Sequence, residues 1–267
     1  GGGADLQARA LEKLAPKYLH QNFIINNKPG GGATIGFNEL VTSPSDGYIL
    51  GTIGTNLLLQ PLLGETKYYY PTALEPIIQF STTPLLLVIN ADQPWQTLDD
   101  LILHSKQQTN ALKFGHAGIG NTTHIIGEIF AKESGISVQQ VPFRGASEST
   151  AALLGDHVDF IIAGPGALTE QIKSGKIRAL AVSGEKRLSN PALAQIPTFK
   201  ELGYDIVLEE WYGIAAPKEI DPEIKATLEK ALAQMVNDPE FKTDAEQLGM
   251  AVSFLNSADL KKKLISD

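Results

Sequence analysis

Four segments rich in glycine and small polar residues have the composition that ligand-binding loops need. They are residues 1–5 (GGGAD), 52–56 (TIGTN), 115–124 (GHAGIGNTTH) and 163–166 (AGPG). Glycine lets a ligand approach the backbone, and the first turn of a helix offers unpaired N–H donors and a partial positive dipole. Two helix ends of this kind could hold a carboxylate without any arginine. We therefore expect an anion site here, although glycine-rich turns also join strands to helices with no further role.

Nucleotide-binding motifs do not account for these glycines. The glycines at positions 115, 118 and 120 are not in the G-x-G-x-x-G order of dinucleotide-binding loops, and no G-x-x-x-x-G-K-[ST] string occurs. The predicted strand at residues 138–141 is not followed by an acidic residue that could bind a ribose. We expect no cofactor.

Metal-binding and catalytic interpretations have little support. His124 and Glu128 have the i, i+4 spacing of helical metal ligands, but no third ligand is evident, so a hydrogen-bonding role for His124 is favoured. His116 could face the ligand, but because most loop histidines face solvent, we expect it to do the same. Asp5 fits a capping role, and Arg144 fits either anion steering or a surface ion pair. With no G-x-S-x-G elbow, we expect no catalytic residue and no metal site.

Composition narrows the class of protein further. The 267 residues carry a net charge of −8, which argues against nucleic acid as a partner because phosphate binding needs a basic surface. The absence of cysteine excludes disulfides and thiolate metal sites. No apolar run approaches the roughly 20 residues that span a bilayer, and no signal peptide precedes the first glycines.

Short apolar strands alternate with amphipathic helices, a pattern typical of parallel sheets covered on both faces. The strands are predicted at residues 23–26, 48–51, 85–90, 113–115, 138–141, 158–163, 177–182 and 211–217, and the helices at residues 4–19, 33–41, 123–134, 148–154, 222–236 and 239–248.

Two stretches are interpreted as bridges between domains. Residues 85–90 leave the first series of elements, and residues 211–217 lead to two helices that lack a sheet of their own. We expect those helices to pack back on the first domain. Domain 1 is then discontinuous, comprising residues 1–92 and 213–267, and domain 2 comprises residues 93–212.

Several strings together resemble one family, the periplasmic solute receptors of tripartite tricarboxylate transporters (the Bug or TctC-like family). The strings are residues 1–5 (GGGAD), 27–32 (NKPGGG) with 35–36 (IG), 44–48 (PSDGY), 141–145 (VPFRG), 153–159 (LLGDHVD), 174–181 (SGKIRALA), 196–198 (IPT) and 211–217 (WYGIAAP). Each string is weak alone, but their order and spacing match the family over nearly the whole chain.

The resemblance implies an α/β, two-lobe periplasmic binding protein of type II, a "Venus flytrap" with two mostly parallel sheets joined by two crossover strands. It also implies that backbone donors from both lobes hold a ligand carboxylate. The residues that it places at the ligand are Ala4, Asp5, Gly54, Thr55, Ala117, Gly118, Gly120, Asn121, Thr122, His124, Phe143, Gly145, Ala163 and Gly164.

The family implies a monomeric, exported receptor that delivers a di- or tricarboxylate, an acidic amino acid or an aromatic acid to integral membrane transporter subunits. A ligand-sensing subunit of a signalling system is the alternative, and an α/β enzyme is a third. Three departures stand out: the family's signal peptide and first apolar strand, ending in Pro-Gly-Gly, have no counterpart here; Phe143 stands where Tyr is common; and Ala163 and Gly164 replace a polar pair. We expect the first sheet to lack that strand and a less polar lobe 2 wall to shift the preferred ligand.

Overall fold

A computed structural model describes residues 2–64 and 66–266, which form two compact units. Unit 1 comprises Gly3–Thr82 together with the chain from Glu210 onward, and unit 2 comprises Thr83–Glu209. The sequence prediction placed the two boundaries ten and three residues later, at residues 92 and 212. Both observed boundaries fall inside strands rather than in loops.

The described residues contain helices and strands in the following order. The helices are α1 (Gly3–Glu12), α2 (Ala15–Leu19), α3 (Thr34–Val41), α4 (Asn56–Leu63), α5 (Tyr70–Ala73), α6 (Leu98–Gln107), α7 (Thr122–Ser134), α8 (Ala146–Leu154), α9 (Pro165–Lys173), α10 (Pro222–Asn237), α11 (Pro239–Gln247) and α12 (Ser257–Ser266), with a 3-10 turn at Gly31–Ala33. The strands are β1 (Gly51–Gly54), β2 (Leu74–Pro84), β3 (Leu86–Asn90), β4 (Leu112–His116), β5 (Val138–Pro142), β6 (Phe160–Ala163), β7 (Ile177–Val182), β8 (Glu209–Pro217) and β9 (Ala251–Leu255).

Unit 2 contains a five-stranded sheet in the order β5-β4-β6-β3-β7. Strand β4 pairs in parallel with β5 and β6, whereas β3 pairs antiparallel with β6 and β7. Four strands therefore share one direction and β3 alone is reversed. The predicted mostly parallel sheet is confirmed for this unit. Strand β3 is free to run the other way because the chain enters unit 2 through it, with no preceding helical crossover to impose a direction.

Strand β3 also shows how the sheet of unit 2 is covered. Leu87 and Ile89 belong to one core cluster, while Leu86 and Val88 belong to another, and all four are fully buried. Since successive side chains of a strand point to opposite faces, both faces of this sheet are packed. Such burial produces the continuous apolar run seen in the sequence.

Unit 1 contains a four-stranded sheet in the order β1-β8-β2-β9. Strand β1 pairs antiparallel with β8, and β2 pairs antiparallel with β9. The prediction of a mostly parallel sheet is wrong for these pairs. A parallel direction is imposed when a helical crossover joins neighbouring strands, but β8 and β9 join this sheet only after the chain returns from unit 2.

The C-terminal helices pack on unit 1, as predicted. Leu232 and Met235 of α10 and Phe241 of α11 share a core cluster with Ile77 and Phe80 of β2. The rings of Phe80 and Phe241 meet edge to face with centroids 6.1 Å apart. The C-terminal segment also supplies β9, a short and largely exposed strand that is not among the predicted strands.

Three local predictions for unit 1 differ from the structure. The predicted helix at residues 4–19 is two helices, because Pro16 lacks an N–H and α2 restarts with it in the first turn. Residues 23–26 form no strand. The predicted strand at residues 48–51 lies three residues later, as β1, where pairing with β8 begins at Gly51. Within the described ranges, no helix is long and apolar enough to cross a membrane.

Candidate functional site

Three strands of unit 2 deliver loops to one edge of the sheet. Because β4, β5 and β6 are parallel neighbours, their carboxyl ends lie side by side, at strand spacings of about 4.8 Å. Each strand is followed within a few residues by a helix: α7 after β4, α8 after β5 and α9 after β6. Ligands of α/β sheets bind at such edges. The structure thus brings together the unit 2 residues that the resemblance implied.

The loop between β4 and α7 is held by its own hydrogen bonds. The Asn121 side chain caps α7 by accepting from the Thr123 N–H (3.0 Å), and the Ala117 N–H donates to Thr123 Oγ1 (3.0 Å). Gly118 and Gly120 have φ angles of 115° and 76°, a region that favours glycine. The Asn121 N–H donates to the Gly118 carbonyl (3.1 Å). Several donors predicted to face a ligand are therefore already used within the loop.

Helices α8 and α9 differ from α7 at their first turns. Their N-cap residues are Gly145 and Gly164, neither of which has a side chain that could cap the helix. A Cβ built at Gly145 would have no heavy atom within 4 Å, so the space beside it is open. Helix N–H groups without a side-chain cap, next to open space, suit an anionic group.

Ala163 and Phe143 contribute to this edge in different ways. Ala163 is fully buried and pairs with Leu86, so its side chain lies in the core and only its backbone is available at the site. The Phe143 N–H donates to the His116 carbonyl (2.9 Å), which extends the β4–β5 pairing. The Phe143 ring is half-buried against unit 2, where a Cβ at Gly115 would lie 3.1 Å from Cε2.

His124 is a hydrogen-bonding residue, as the sequence favoured. Its Nδ1 accepts from the Gly120 N–H (3.2 Å), and its Nε2 lies 3.0 Å from Gln140 Oε1. Glu128, the proposed i, i+4 partner, instead accepts from Gln140 Nε2 (2.7 Å). No group of three or more His, Asp or Glu residues that could hold a metal is found in the parts of the chain that the structure describes.

His116 is fully buried, so the expectation that it faces solvent is wrong. Its ring lies 4.6 Å from that of His124 and 5.3 Å from that of Phe114, measured between centroids. Neither ring nitrogen has a hydrogen-bond partner among the described residues. Burial lowers the pKa of His116 to about 4. The nearby Gly118 backbone opposes part of this lowering, and the proximity of His124 adds to it. The imidazole is therefore neutral near pH 7.

The unit 1 candidates lie at the start of α1 and the end of β1. The Asp5 carboxylate accepts from Arg9 Nε (3.0 Å) and Asn27 Nδ2 (2.9 Å), so it is tied into α1 and the loop that follows α2. Ala4, beside it, is exposed. The Thr55 hydroxyl accepts from the Trp211 N–H (3.1 Å) and holds the end of β1 against β8.

Tyr212 connects these two unit 1 segments and was missed by the sequence analysis. A Cβ at Gly3 would lie 2.6 Å from the Tyr212 hydroxyl, and one at Gly54 would lie 3.6 Å from its ring and 2.5 Å from the Trp211 carbonyl. The Tyr212 hydroxyl donates to the buried Glu210 carboxylate. Burial, with Glu210 nearby, raises the pKa of Tyr212 well above its usual range. The only signal in the sequence was an acidic pair preceding an aromatic pair at the start of β8.

A pocket of about 460 Å³ opens elsewhere on unit 2 and is a poor candidate. It is lined by Gln96, Ile172, Arg178 and Gln195, among others, and by none of the residues implied at the ligand. The Arg178 guanidinium donates to two backbone carbonyls, those of Gln93 (3.1 Å) and Trp95 (2.8 Å). The Arg178 guanidinium that lines this pocket therefore already has structural hydrogen-bond partners.

Comparison with known proteins gives consistent results over the whole chain. The family described as tripartite tricarboxylate transporter family receptor (TctC) matches residues 7–267. A relative in Cupriavidus necator, "UPF0065 protein in gbd 5'region", is 32% identical over 96% of this chain and 78% of its own length. The structure of periplasmic binding protein BugD is 30% identical, with a TM-score of 0.93 over 99% of this chain and 89% of that one.

Two further structures share the fold at lower identity. An R. palustris protein with adipate has a TM-score of 0.93 at 24% identity, covering 99% of this chain and 89% of that one. MatC from Rhodopseudomonas palustris with bound malate has a TM-score of 0.87 at 23% identity, covering 99% and 92%. The fold is thus that of a two-lobe periplasmic binding protein, and the chain belongs to the TctC (Bug) family, the receptors of tripartite tricarboxylate transporters.

Proposed function

We propose that this chain is a periplasmic receptor that captures a small carboxylate between its two units and delivers it to the membrane subunits of a tripartite tricarboxylate-type transporter. One observation carries the proposal: three neighbouring parallel strands of unit 2 lead into three helix N-termini, of which two have glycine N-caps and no side-chain cap. Each such helix end can stabilise an anion by roughly 0.3–1 kcal/mol when exposed and up to about 2 kcal/mol when partly buried.

The proposed ligand contacts come from both units. Unit 2 contributes the backbone of Gly118, Gly145 and Gly164, and unit 1 contributes the start of α1 and the Gly54–Thr55 turn. The malate and adipate of the two fold neighbours are both dicarboxylates, which supports a ligand of this class. We propose that the receptor is a monomer and that it uses no catalytic residue, cofactor or metal.

The first experiment is a thermal-shift screen of the purified protein against mono-, di- and tricarboxylates and acidic amino acids, followed by calorimetry on each hit. A ligand at 100 times its dissociation constant adds about 2.7 kcal/mol to the free energy of unfolding, which raises the melting temperature. A shift confined to one subclass supports the proposal and identifies the ligand class. If no carboxylate binds, or if one is turned over, the receptor function proposed here is wrong.

A pair of glycine variants tests where the carboxylate binds. Gly118 precedes α7 and Gly135 ends it, and both have positive φ angles of 115° and 68°. Replacing either with alanine strains the backbone, but only Gly118→Ala should move donors at the proposed site. We expect Gly118→Ala to weaken carboxylate binding at least tenfold and Gly135→Ala to leave it unchanged. Equal affinities would remove the β4–α7 loop from the site.

A further inference from the structure

A chain of hydrogen bonds links the outer part of unit 2 to the β4–α7 loop. Glu128 Oε1 on α7 accepts from Gln140 Nε2 on β5 (2.7 Å), and Gln140 Oε1 lies 3.0 Å from His124 Nε2. His124 Nδ1 then accepts from the Gly120 N–H (3.2 Å). Glu128 and Gln140 are not among the residues implied at the ligand. This series of hydrogen bonds therefore connects the proposed site to Glu128 and Gln140, two residues with no assigned role.

The direction of every hydrogen bond in this series follows from the Glu128 carboxylate at its start. A carboxylate only accepts, so the Gln140 amide must present its NH₂ to Glu128 and its oxygen to His124. The facing His124 Nε2 must then carry the ring proton. In a neutral imidazole the other nitrogen, Nδ1, is an acceptor, which is the role that the Gly120 N–H requires.

The last bond of the chain acts on the most adaptable part of the loop. Gly118 and Gly120 both have positive φ angles, and glycine has little intrinsic preference for one backbone conformation. Fixing the Gly120 N–H on His124 restricts the loop before a ligand arrives. A pre-organised loop loses less conformational entropy on binding, so affinity rises.

We propose that Gln140 and Glu128 are positioning residues of the ligand site, which act by holding His124 in its Nε2–H tautomer so that its Nδ1 anchors Gly120. The inference rests on the proposed function, because it concerns the loop that would bind the carboxylate. Core packing offers no competing role for Gln140, whose side chain is exposed on the edge strand β5.

The test compares Gln140→Leu with two matched variants. Gln139→Leu changes the preceding residue of β5, which is also exposed but points to the opposite face of the sheet. The double variant Glu128→Gln with Gln140→Glu exchanges the two groups: the new carboxylate would accept both from the new amide and from His124 Nε2–H. His124 should no longer be held in the Nε2–H tautomer alone in Gln140→Leu, and it should keep that tautomer in the exchanged pair.

Two readouts separate positioning from general stability. In the ligand-free protein at pH 8, ¹⁵N NMR of the imidazole reports the His124 tautomer, and amide hydrogen exchange reports the Gly120 N–H. We expect a mixed tautomer and faster Gly120 exchange in Gln140→Leu alone. Calorimetry with malate and adipate should show affinity weakened about threefold to tenfold in that variant, the range expected for one lost hydrogen bond.

The outcomes distinguish this inference from the proposed function. An unchanged tautomer and unchanged Gly120 exchange in Gln140→Leu would overturn the positioning role, as would equal effects of Gln139→Leu. If the wild-type protein binds neither dicarboxylate, the calorimetry contradicts the proposed ligand class. The NMR measurements on the ligand-free protein still decide whether Gln140 and Glu128 hold the loop.

Discussion

Two histidines near the end of β4 show how identical side chains acquire different chemistry from their surroundings. His124 is half-buried and has a hydrogen-bond partner at each ring nitrogen. His116, with its ring centroid 4.6 Å away, is fully buried and has no partner at either nitrogen in the described chain. Removing a charged imidazolium from water is costly, so His116 remains neutral under conditions that protonate an ordinary histidine.

The free energy of unfolding should therefore depend on pH through His116. Its pKa in the folded protein, about 4, lies below its ordinary value of 6.5, so the unfolded chain binds the proton more readily. The contribution of neutral His116 to the free energy of unfolding is fully present above pH 6.5. It falls by about 2 to 3 kcal/mol as the pH falls towards 4. Urea unfolding at a series of pH values measures this loss.

A substitution assigns that pH dependence to His116. We expect His116→Leu to flatten the stability profile between pH 6.5 and 4, whereas His157→Gln, at an exposed position, should leave it unchanged. A His116→Leu profile as steep as that of the wild-type protein would show that another group is responsible.

At the scale of elements, α7 packs against β4 through Gly127, which faces the sheet with no room for a side chain. A Cβ at Gly127 would lie between 2.0 and 2.8 Å from three atoms of the Phe114 ring. That ring stacks on Phe160 with centroids 4.9 Å apart, so it has little room to move. The helix that carries Asn121, Thr122 and His124 at its start is thus set against the sheet by one glycine.

We predict that Gly127→Ala destabilises the protein by about 1–3 kcal/mol, the usual cost of overpacking a core. The sign is informative, because the same change in an exposed helix stabilises by about 1 kcal/mol. Chemical denaturation gives the value. Gly36→Ala is the matched control, because Gly36 lies inside α3 and a Cβ there would meet its nearest atoms, those of Lys28, at an ordinary 3.7 Å. An increase in stability on Gly127→Ala would mean that α7 does not approach β4 as closely as described.

At the scale of the whole molecule, each unit has its own cores and its own tryptophan. Trp95 belongs to a core cluster of unit 2 and Trp211 to one of unit 1, and both are buried. The chain has only these two tryptophans. The variants Trp95→Phe and Trp211→Phe therefore leave fluorescence reporters of unit 1 and unit 2, respectively.

These reporters test whether a carboxylate engages both units. We expect the tightest-binding carboxylate of the panel, at 100 times its dissociation constant, to raise the urea midpoint in both single-tryptophan variants, since it adds about 2.7 kcal/mol to whichever units bind it. A rise in one variant only would assign the ligand to a single unit and contradict capture between the two.

Much of the fold was predictable because the relevant signals are local. Strands β3, β6 and β7 of unit 2 are short, mainly apolar runs bounded by turn residues, and β7 lies at the predicted residues, Ile177–Val182. The α/β class and the family were confirmed, since they depend on the order of such elements and on the spacing of many short motifs. The placement of the ligand on the implied loops remains a prediction.

Other features depend on residues far apart in the sequence, and only the tertiary structure decided them. The sequence by itself determined where the glycine-rich loops occur and that helices follow them, because turn and helix preferences are carried by neighbouring residues. Tertiary structure decided the reversal of β3, the antiparallel pairs of unit 1, the burial of His116 and the approach of Tyr212 to Gly3 and Gly54. Strand direction, burial and the partner of a polar group are set by which segments the completed fold brings together, and local sequence preference does not contain that information.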